Sequence, residues 1–108
     1  MNIFMTDSIK KIINKSSSEL GYTVKSISLF GSRAVNKSIY SSDWDVLVII
    51  EDNLNFNEKW DYITLLQREF APLGISIDII VQSVKEVETN ALDRGNICYY
   101  ALKNGITI

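Results

Sequence analysis

The sequence contains no histidine and a single cysteine, Cys98, among its 108 residues. A Ser-His-Asp triad, a Cys-His pair and zinc sites built on histidine or on four cysteines therefore cannot be assembled within this chain. Carboxylate chemistry remains, and carboxylates favour hard cations such as Mg²⁺. Cys98 stands between Ile97 and Tyr99, so we interpret it as a small buried apolar residue.

Long apolar runs and a strong excess of one charge are also missing. No stretch approaches the roughly 18 apolar residues of a membrane span, and Met1 to Ile13 has no uninterrupted apolar core, so we expect a cytoplasmic protein without a signal peptide. The net charge of −2 gives no broad basic surface, so we expect no stable binding of nucleic acid. With 46% hydrophobic and 22% charged residues, the composition favours one globular domain over residues 1–108.

Two aspartates separated by one residue open the most apolar run of the chain. Asp43 and Asp45 lead into five consecutive aliphatic residues, which indicates a buried strand from about Trp44 to Ile50. Because side chains at i and i+2 share a face, both carboxylates would lie together, about 7 Å apart, on the face that carries Leu47. Like charges at this distance repel unless a divalent cation lies between them, and Mg²⁺ prefers such oxygen ligands.

A Gly-Ser pair follows the preceding strand, which is predicted from Tyr22 to Phe30. Glycine allows the backbone to approach a ligand closely. A short helix over residues 32–37 would offer free N–H groups to a phosphate, with the Ser32 hydroxyl and the Arg33 charge beside them. Alternatively, Gly31 and Ser32 form only a strand-to-helix turn in which Ser32 caps the helix.

A third carboxylate, Asp78, interrupts a strand predicted over Ile75–Val81. The odd-numbered residues of this strand are all aliphatic, whereas Asp78 shares the other face with Ser76 and Ile80. A carboxylate among apolar residues is costly unless it is paired or bound to a metal. We therefore predict that Asp78 faces the first two aspartates from an adjacent strand; the alternative is a strand-end aspartate that accepts a hydrogen bond from a loop.

Helical periodicity accounts for most of the remaining chain. One helix is predicted over residues 7–20, ending at Gly21, with an apolar face of Ile9, Ile12, Ile13 and Leu20. A second begins after Asn55 or Asn57 and runs to about Phe70, with a core stripe of Trp60, Ile63, Leu66 or Gln67, and Phe70. Ser83 caps a third helix, from Val84 to about Leu92, and a fourth reaches Lys103 before a short extended end over residues 106–108.

The ordered set of Gly31, Ser32, Asp43, Asp45 and Asp78 resembles the signature of the nucleotidyltransferase superfamily. That superfamily includes DNA polymerase beta, kanamycin nucleotidyltransferase and the small minimal nucleotidyltransferases, and its signature is Gly-Ser, a spacer of about ten residues, Asp-x-Asp at a strand start and a carboxylate on a later strand. The resemblance implies an α/β (α+β) fold, a small mixed sheet with helices packed mainly on one face. Strand order does not follow from the sequence.

The resemblance also implies roles for these residues. The aspartates would hold two Mg²⁺ ions, and Asp78 would also help to remove the proton of the attacking hydroxyl. The β and γ phosphates of the nucleotide would be bound by residues of the Gly-Ser turn: Gly31, Ser32 and Arg33.

Stand-alone minimal nucleotidyltransferases are typically the antitoxin of a pair with a helical HEPN ribonuclease toxin. By this resemblance, the chain would transfer AMP from ATP to a hydroxyl of that toxin, a tyrosine, within a hetero-oligomer. Two alternatives stay open: a non-catalytic module that masks a toxin, and an adenylyltransferase for a small molecule such as an aminoglycoside. An aminoglycoside is polycationic, and the net charge of −2 permits an acidic pocket for it.

Overall fold

The computed structural model describes residues 3–30, 44–90 and 106–108. Along these residues the elements are, in order, α1 (Ile3–Glu19), β1 (Val24–Phe30), β2 (Trp44–Ile50), α2 (Phe56–Phe70), one 3-10 turn (Ala71–Leu73), β3 (Ile77–Ser83), α3 (Val84–Asn90) and β4 (Ile106–Thr107). No helix in the described ranges is both long and apolar enough to cross a membrane.

The four strands form one mixed sheet in the order β3-β2-β1-β4. β1 is antiparallel to both β2 and β4, whereas β2 and β3 are parallel. Parallel neighbours need a crossover connection, and α2 supplies it between β2 and β3. The predicted mixed sheet is thereby confirmed.

The two faces of β2 enter two different apolar clusters. Even-numbered residues of the strand, such as Val46 and Val48, lie in the main core, whereas Leu47 and Ile49 join Phe30 in a smaller cluster on the opposite face. The predicted alternation of β2 is thus confirmed, and so are its bounds. Val46, Leu47 and Val48 are fully buried, as expected for a strand with both faces covered.

Helices α1 and α2 cover the face with the main core. Ile9 and Ile13 are completely buried, as their spacing predicts. Helix α1 starts at Ile3 rather than at residue 7, and Met5 packs against the core, so an additional turn is stabilised upstream. Leu20 was expected in the core, but it is 44% exposed because the helix ends at Glu19.

The end of α1 is a Schellman motif. The Gly21 N–H donates to the Ser18 carbonyl at 3.0 Å, and the Tyr22 N–H donates to the Ser17 carbonyl at 2.9 Å. Gly21 has a φ of +80°, a conformation that side chains with a Cβ disfavour. Gly21 therefore ends the helix, as predicted.

Helix α2 begins with a capping box at Asn55, one of the two caps predicted. The Asn55 side chain accepts from the Glu58 N–H at 2.8 Å, and Glu58 accepts from the Asn55 N–H at 3.0 Å. The predicted core stripe is only partly right: Leu66 and Phe70 are buried, but Trp60 is 61% exposed, and Tyr62 is buried instead. Positions 62, 66 and 70 are successive i+4 steps along one face, which turns Trp60 away from the sheet.

Tyr62 also ties α2 to α1 through a polar contact. The Ser17 hydroxyl donates to the Ile13 carbonyl at 2.5 Å, so the hydrogen bond between Ser17 and Tyr62 uses the Tyr62 hydroxyl as donor. Burial raises the pKa of the Tyr62 hydroxyl above its ordinary value. Each polar atom of this buried chain thereby has a partner.

Helix α3 lies against the other face of the sheet. Val84 and Val87 pack on the cluster of Phe30, Leu47 and Ile49. Ser83 caps α3, as predicted, in a second capping box: the Glu86 N–H donates to the Ser83 hydroxyl, and the Ser83 N–H donates to the Glu86 carboxylate, both at 3.0 Å. The predicted fourth helix lies outside the described residues, and β4 matches the extended end predicted over residues 106–108.

Two strand boundaries differ from the prediction. β1 begins at Val24 rather than Tyr22, and β3 spans Ile77–Ser83 rather than Ile75–Val81. The Ser76 carbonyl accepts from the Trp44 N–H at 2.8 Å, so the ladder with β2 begins there and runs on to Ser83. The shift places Asp78 at the second position of the strand.

Candidate active site

The sheet places Asp45 directly beside Asp78. In the parallel pairing of β2 and β3, Trp44 is opposite Ile77 and Asp45 is opposite Asp78. Neighbouring strands lie about 4.8 Å apart, and partners in a parallel pair project to the same side. The prediction that Asp78 lies on a strand adjacent to that of Asp45 is therefore met by the geometry.

The two carboxylates lie on the face that carries the smaller apolar cluster. Leu47 and Ile80, which are also register partners, belong to that cluster, and each lies two residues after one of the aspartates. Asp45 is half-buried and Asp78 is exposed. The pair therefore lies at the amino-terminal edge of the apolar surface, open to solvent on one side.

β1 leads directly to this pair. Phe30, the last residue of β1, is the antiparallel partner of Asp45, and Gly31 is the next residue in the sequence. The other predicted site residues lie outside the described ranges: Gly31, Ser32, Arg33 and Asp43. Their roles remain predictions.

The donor set suits a hard divalent cation. Two carboxylates held side by side on adjacent strands repel each other unless a cation lies between them, and oxygen ligands of this type are those that Mg²⁺ prefers. Within residues 3–30, 44–90 and 106–108, no group of three His, Cys, Asp or Glu side chains could hold a metal ion. Asp43 lies outside those ranges, so the described part contributes two of the three predicted ligands.

A salt bridge fixes the helix that follows β3. The Lys59 ammonium lies 2.6 Å from the Glu86 carboxylate, which joins α2 to α3. Partial burial by itself raises the pKa of Glu86, but the hydrogen bonds from Lys59 and from Ser83, together with the Lys59 charge, outweigh it and hold the pKa below its ordinary value. Glu86 is therefore ionised at neutral pH and has a structural role in anchoring α3.

Comparison with known proteins gives a family assignment. The family described as Polymerase beta, Nucleotidyltransferase matches residues 7–108. Two proteins of Methanocaldococcus jannaschii are related in sequence. The one named "Putative protein adenylyltransferase MJ1379" is 36% identical over 76 residues, 68% of this chain and 75% of its own length. The other, "Putative protein adenylyltransferase MJ0128", is 39% identical over 79 residues, 68% of this chain and 74% of its own length.

Three solved structures of similar fold are toxin-antitoxin complexes. A chain of a toxin-antitoxin crystal structure with AMP-PNP has a TM-score of 0.60 at 21% identity, over 90% of this chain and 69% of that one. A chain of a toxin-antitoxin MntA-HpeT variant has a TM-score of 0.59 at 18% identity, over 94% of this chain and 69% of that one; the variant has two Asp-to-Glu changes separated by one residue. Another MntA-HpeT variant, with a tyrosine changed to alanine, gives 0.56 at 21% identity, over 95% and 69%.

At these identities the solved structures show a shared fold, whereas the family match and the two sequence relatives show descent. Both agree with the mixed α/β fold described above. The chain is a nucleotidyltransferase and belongs to the polymerase beta nucleotidyltransferase family.

Proposed function

We propose that this chain is the antitoxin of a toxin-antitoxin pair and that it transfers AMP from ATP to a tyrosine hydroxyl of a HEPN-type toxin. The reaction depends on Mg²⁺. The observation that carries the proposal is the register of β2 and β3, which sets Asp45 opposite Asp78 on one face of the sheet. The resemblance to the nucleotidyltransferase superfamily implies such a carboxylate pair beside the nucleotide.

Three aspartates, Asp43, Asp45 and Asp78, would hold two Mg²⁺ ions. Bound there, the cations would neutralise phosphate charge and favour the ionised form of the attacking hydroxyl. The side-by-side placement of Asp45 and Asp78 supports this assignment of ligands. The contribution of Asp43 is part of the proposal.

In the proposed reaction, the tyrosine oxygen attacks the α phosphorus of ATP and forms a new P–O bond. The bond from that phosphorus to the oxygen bridging to the β phosphate breaks, and pyrophosphate leaves. The hydroxyl proton passes to the Asp78 carboxylate, whose exposed position gives an incoming side chain access. Gly31 and Ser32 bind the β and γ phosphates, with Arg33 beside them, so the reacting atoms are held in line.

The comparisons support the choice of nucleotide, acceptor class and partner. Two sequence relatives carry the name protein adenylyltransferase, and one similar fold was crystallised with AMP-PNP, an analogue of ATP. The solved complexes are toxin-antitoxin pairs, and the changes made in them fall on an Asp-x-Asp pair and on a tyrosine. Those are the two kinds of residue on which the proposed reaction depends.

The test uses purified toxin, Mg²⁺ and ATP labelled on either the α or the γ phosphate. We expect label from α, but not from γ, on the toxin. Asp45→Asn should abolish this transfer without unfolding the chain. Glu69→Gln alters an exposed carboxylate of α2, a helix that packs on the opposite face of the sheet, and should transfer normally.

Other outcomes separate the alternatives. Tight binding that neutralises the toxin with no transfer of label, and with Asp45→Asn fully active as an antitoxin, would favour the masking module. Label that accumulates on an aminoglycoside and never on the toxin would favour the small-molecule enzyme. Label from the γ phosphate on the toxin would mean that the proposed chemistry is wrong.

A further inference from the structure

Two aromatic side chains on α2 are exposed although the sequence predicts burial of one of them. Phe56 is 79% exposed and Trp60 is 61% exposed. Their rings lie parallel, with an interplanar angle of 5° and centroids 6.4 Å apart. We call these two residues the aromatic patch.

The aromatic patch is not part of the hydrophobic core. Helix α2 buries Tyr62, Leu66 and Phe70 against the sheet and α1, and Phe56 and Trp60 lie one turn apart outside that stripe. Exposed tryptophan is uncommon because burial of its large apolar surface is favourable. Stacking already restricts the two rings, so binding at the patch loses less side-chain entropy than binding at mobile side chains would.

The segment of the chain that carries the aromatic patch is acidic. Residues 51–61 contain four acidic side chains, Glu51, Asp52, Glu58 and Asp61, and one basic side chain, Lys59. The Lys59 ammonium is neutralised by Glu86 at 2.6 Å. Glu58 and Asp61 are exposed on the same helix as the patch. A complementary surface would therefore be apolar at its centre and rich in Lys or Arg around it.

This charge argues against a second copy of the chain as the occupant. Two such copies would bring the same acidic segment from each side, and like charges across an interface are unfavourable. A different protein can offer a surface that is apolar at its centre and basic around it, without this repulsion between like charges. The toxin of the proposed pair is the protein that this chain would have to bind.

The aromatic patch lies away from the carboxylate pair. Asp45 is near the start of β2, and Ile50 is at its end, about 17 Å further along the strand. Lys59, which directly precedes Trp60 in the sequence, contacts Glu86, and Glu86 follows the end of β3. The patch is therefore near the carboxyl ends of these strands, whereas Asp45 and Asp78 are near their amino ends.

We propose that Phe56 and Trp60 form a docking surface for an apolar site, bordered by Lys and Arg, on the partner toxin. This inference rests on the proposed function for the identity of the partner. Docking here leaves the carboxylate pair accessible. It raises the local concentration of the acceptor without taking part in the reaction.

The test measures the Kd for the purified toxin by calorimetry, and the kinetics of AMP transfer, for Phe56→Ala and Trp60→Ala. Exposed tryptophans at interfaces are frequent hot spots, so we expect Trp60→Ala to raise the Kd by about 30-fold. KM for the toxin should rise with it, while kcat stays near its original value. Leu20→Ala is the matched control, since Leu20 is an exposed apolar residue directly after the end of α1.

The acidic side chains near the aromatic patch allow a second measurement. Asp61→Asn should reduce the dependence of toxin association on salt concentration and leave the fold unchanged. Unchanged Kd for both aromatic variants would overturn the inference, as would sedimentation that shows the chain dimerising through Trp60 in the absence of toxin.

The outcomes also separate this inference from the proposed function. Toxin binding that depends on Trp60 without transfer of AMP would support the docking surface and remove the proposed chemistry. Transfer of AMP that is insensitive to Trp60 and Phe56, in both Kd and KM, would leave the chemistry in place and overturn the docking surface.

Discussion

Asp45 and Asp78 are direct register partners on adjacent parallel strands, one half-buried and the other exposed. Like charges in this arrangement destabilise a sheet in the absence of a cation. The same arrangement already holds two carboxylate ligands side by side for a cation. The pair therefore lowers the stability of the cation-free fold and favours the binding of a cation.

Asp78→Asn is expected to stabilise the cation-free protein by a few tenths of a kcal/mol up to about 1 kcal/mol, because it removes one of the two like charges. The same variant should lose most of the stabilisation that Mg²⁺ gives to the original chain. Thermal unfolding with Mg²⁺ and with a chelator measures both effects. A variant whose Tm responds to Mg²⁺ as strongly as the original would show that Asp78 is not a ligand.

Glu86→Gln is expected to weaken the dependence of the free energy of unfolding on pH in the acid range. The pKa of Glu86 is lowered in the folded chain from an ordinary value of 4.5, so its contribution is fully present above that value and is lost as the pH falls through the folded pKa. The pair is partly exposed, so the contribution is below about 1 kcal/mol.

Urea unfolding at neutral pH and below pH 4 measures the Glu86 contribution. Glu88→Gln is the control, since it removes an exposed carboxylate of the same helix and leaves the contact with Lys59 in place. Equal acid dependence in the Glu86 variant and the original chain would contradict the assignment.

Tyr62→Phe is expected to lower the free energy of unfolding by about 1 kcal/mol, because the buried Ser17 hydroxyl loses the group that donates to it. The raised pKa of Tyr62 has a second effect. Above pH 10 the unfolded chain ionises this tyrosine before the folded chain does, so stability falls as the pH rises.

The Tyr62→Phe variant should therefore lose less stability than the original chain between pH 9 and the alkaline limit of folding. Chemical unfolding at several alkaline pH values measures the difference. Parallel curves for the two proteins would show that Tyr62 does not contribute to the alkaline transition.

Gly21→Ala is expected to destabilise the chain by about 1 kcal/mol through backbone strain alone. The position has a φ of +80°, and a Cβ there would meet no atom within 4 Å, so steric overlap adds nothing. Gly21→Asn should cost less, because asparagine tolerates this conformation better. Urea unfolding of both variants gives the comparison, and an alanine variant as stable as the asparagine one would contradict the explanation.

The sequence predicts this fold best where a local pattern decides the structure. The alternation in β2 separates Leu47 from its neighbours on the strand, and the capping residues Asn55 and Ser83 mark the starts of two helices. Each of these signals depends on residues within a few positions of one another. The structure contains the elements that these signals predict, because tertiary packing favours the same elements.

Prediction from the sequence is weaker where contacts between elements far apart in the chain determine the structure. Trp60 and Tyr62 are both compatible with a helical apolar stripe, and contact with α1 selects Tyr62 for the core. The register that joins Asp45 to Asp78 depends on pairing between strands separated by a helix, which a local pattern does not encode. The expectation that Asp78 faces Asp45 depends on the cost of a carboxylate in an apolar strand and on the family resemblance. The signal that separates Trp60 from Tyr62 is the i+4 series that ends at Phe70.

The position of β3 at the edge of the described sheet makes the two carboxylates unequal. β2 is paired with a strand on each side, and Asp45 is flanked by core residues Trp44 and Val46, whereas β3 is paired only with β2 within that sheet. Edge elements exchange their amide hydrogens through local openings that need less free energy than global unfolding. Warming would therefore separate Asp78 from Asp45 while the centre of the molecule is still intact, so activity would be lost at a lower temperature than the fold.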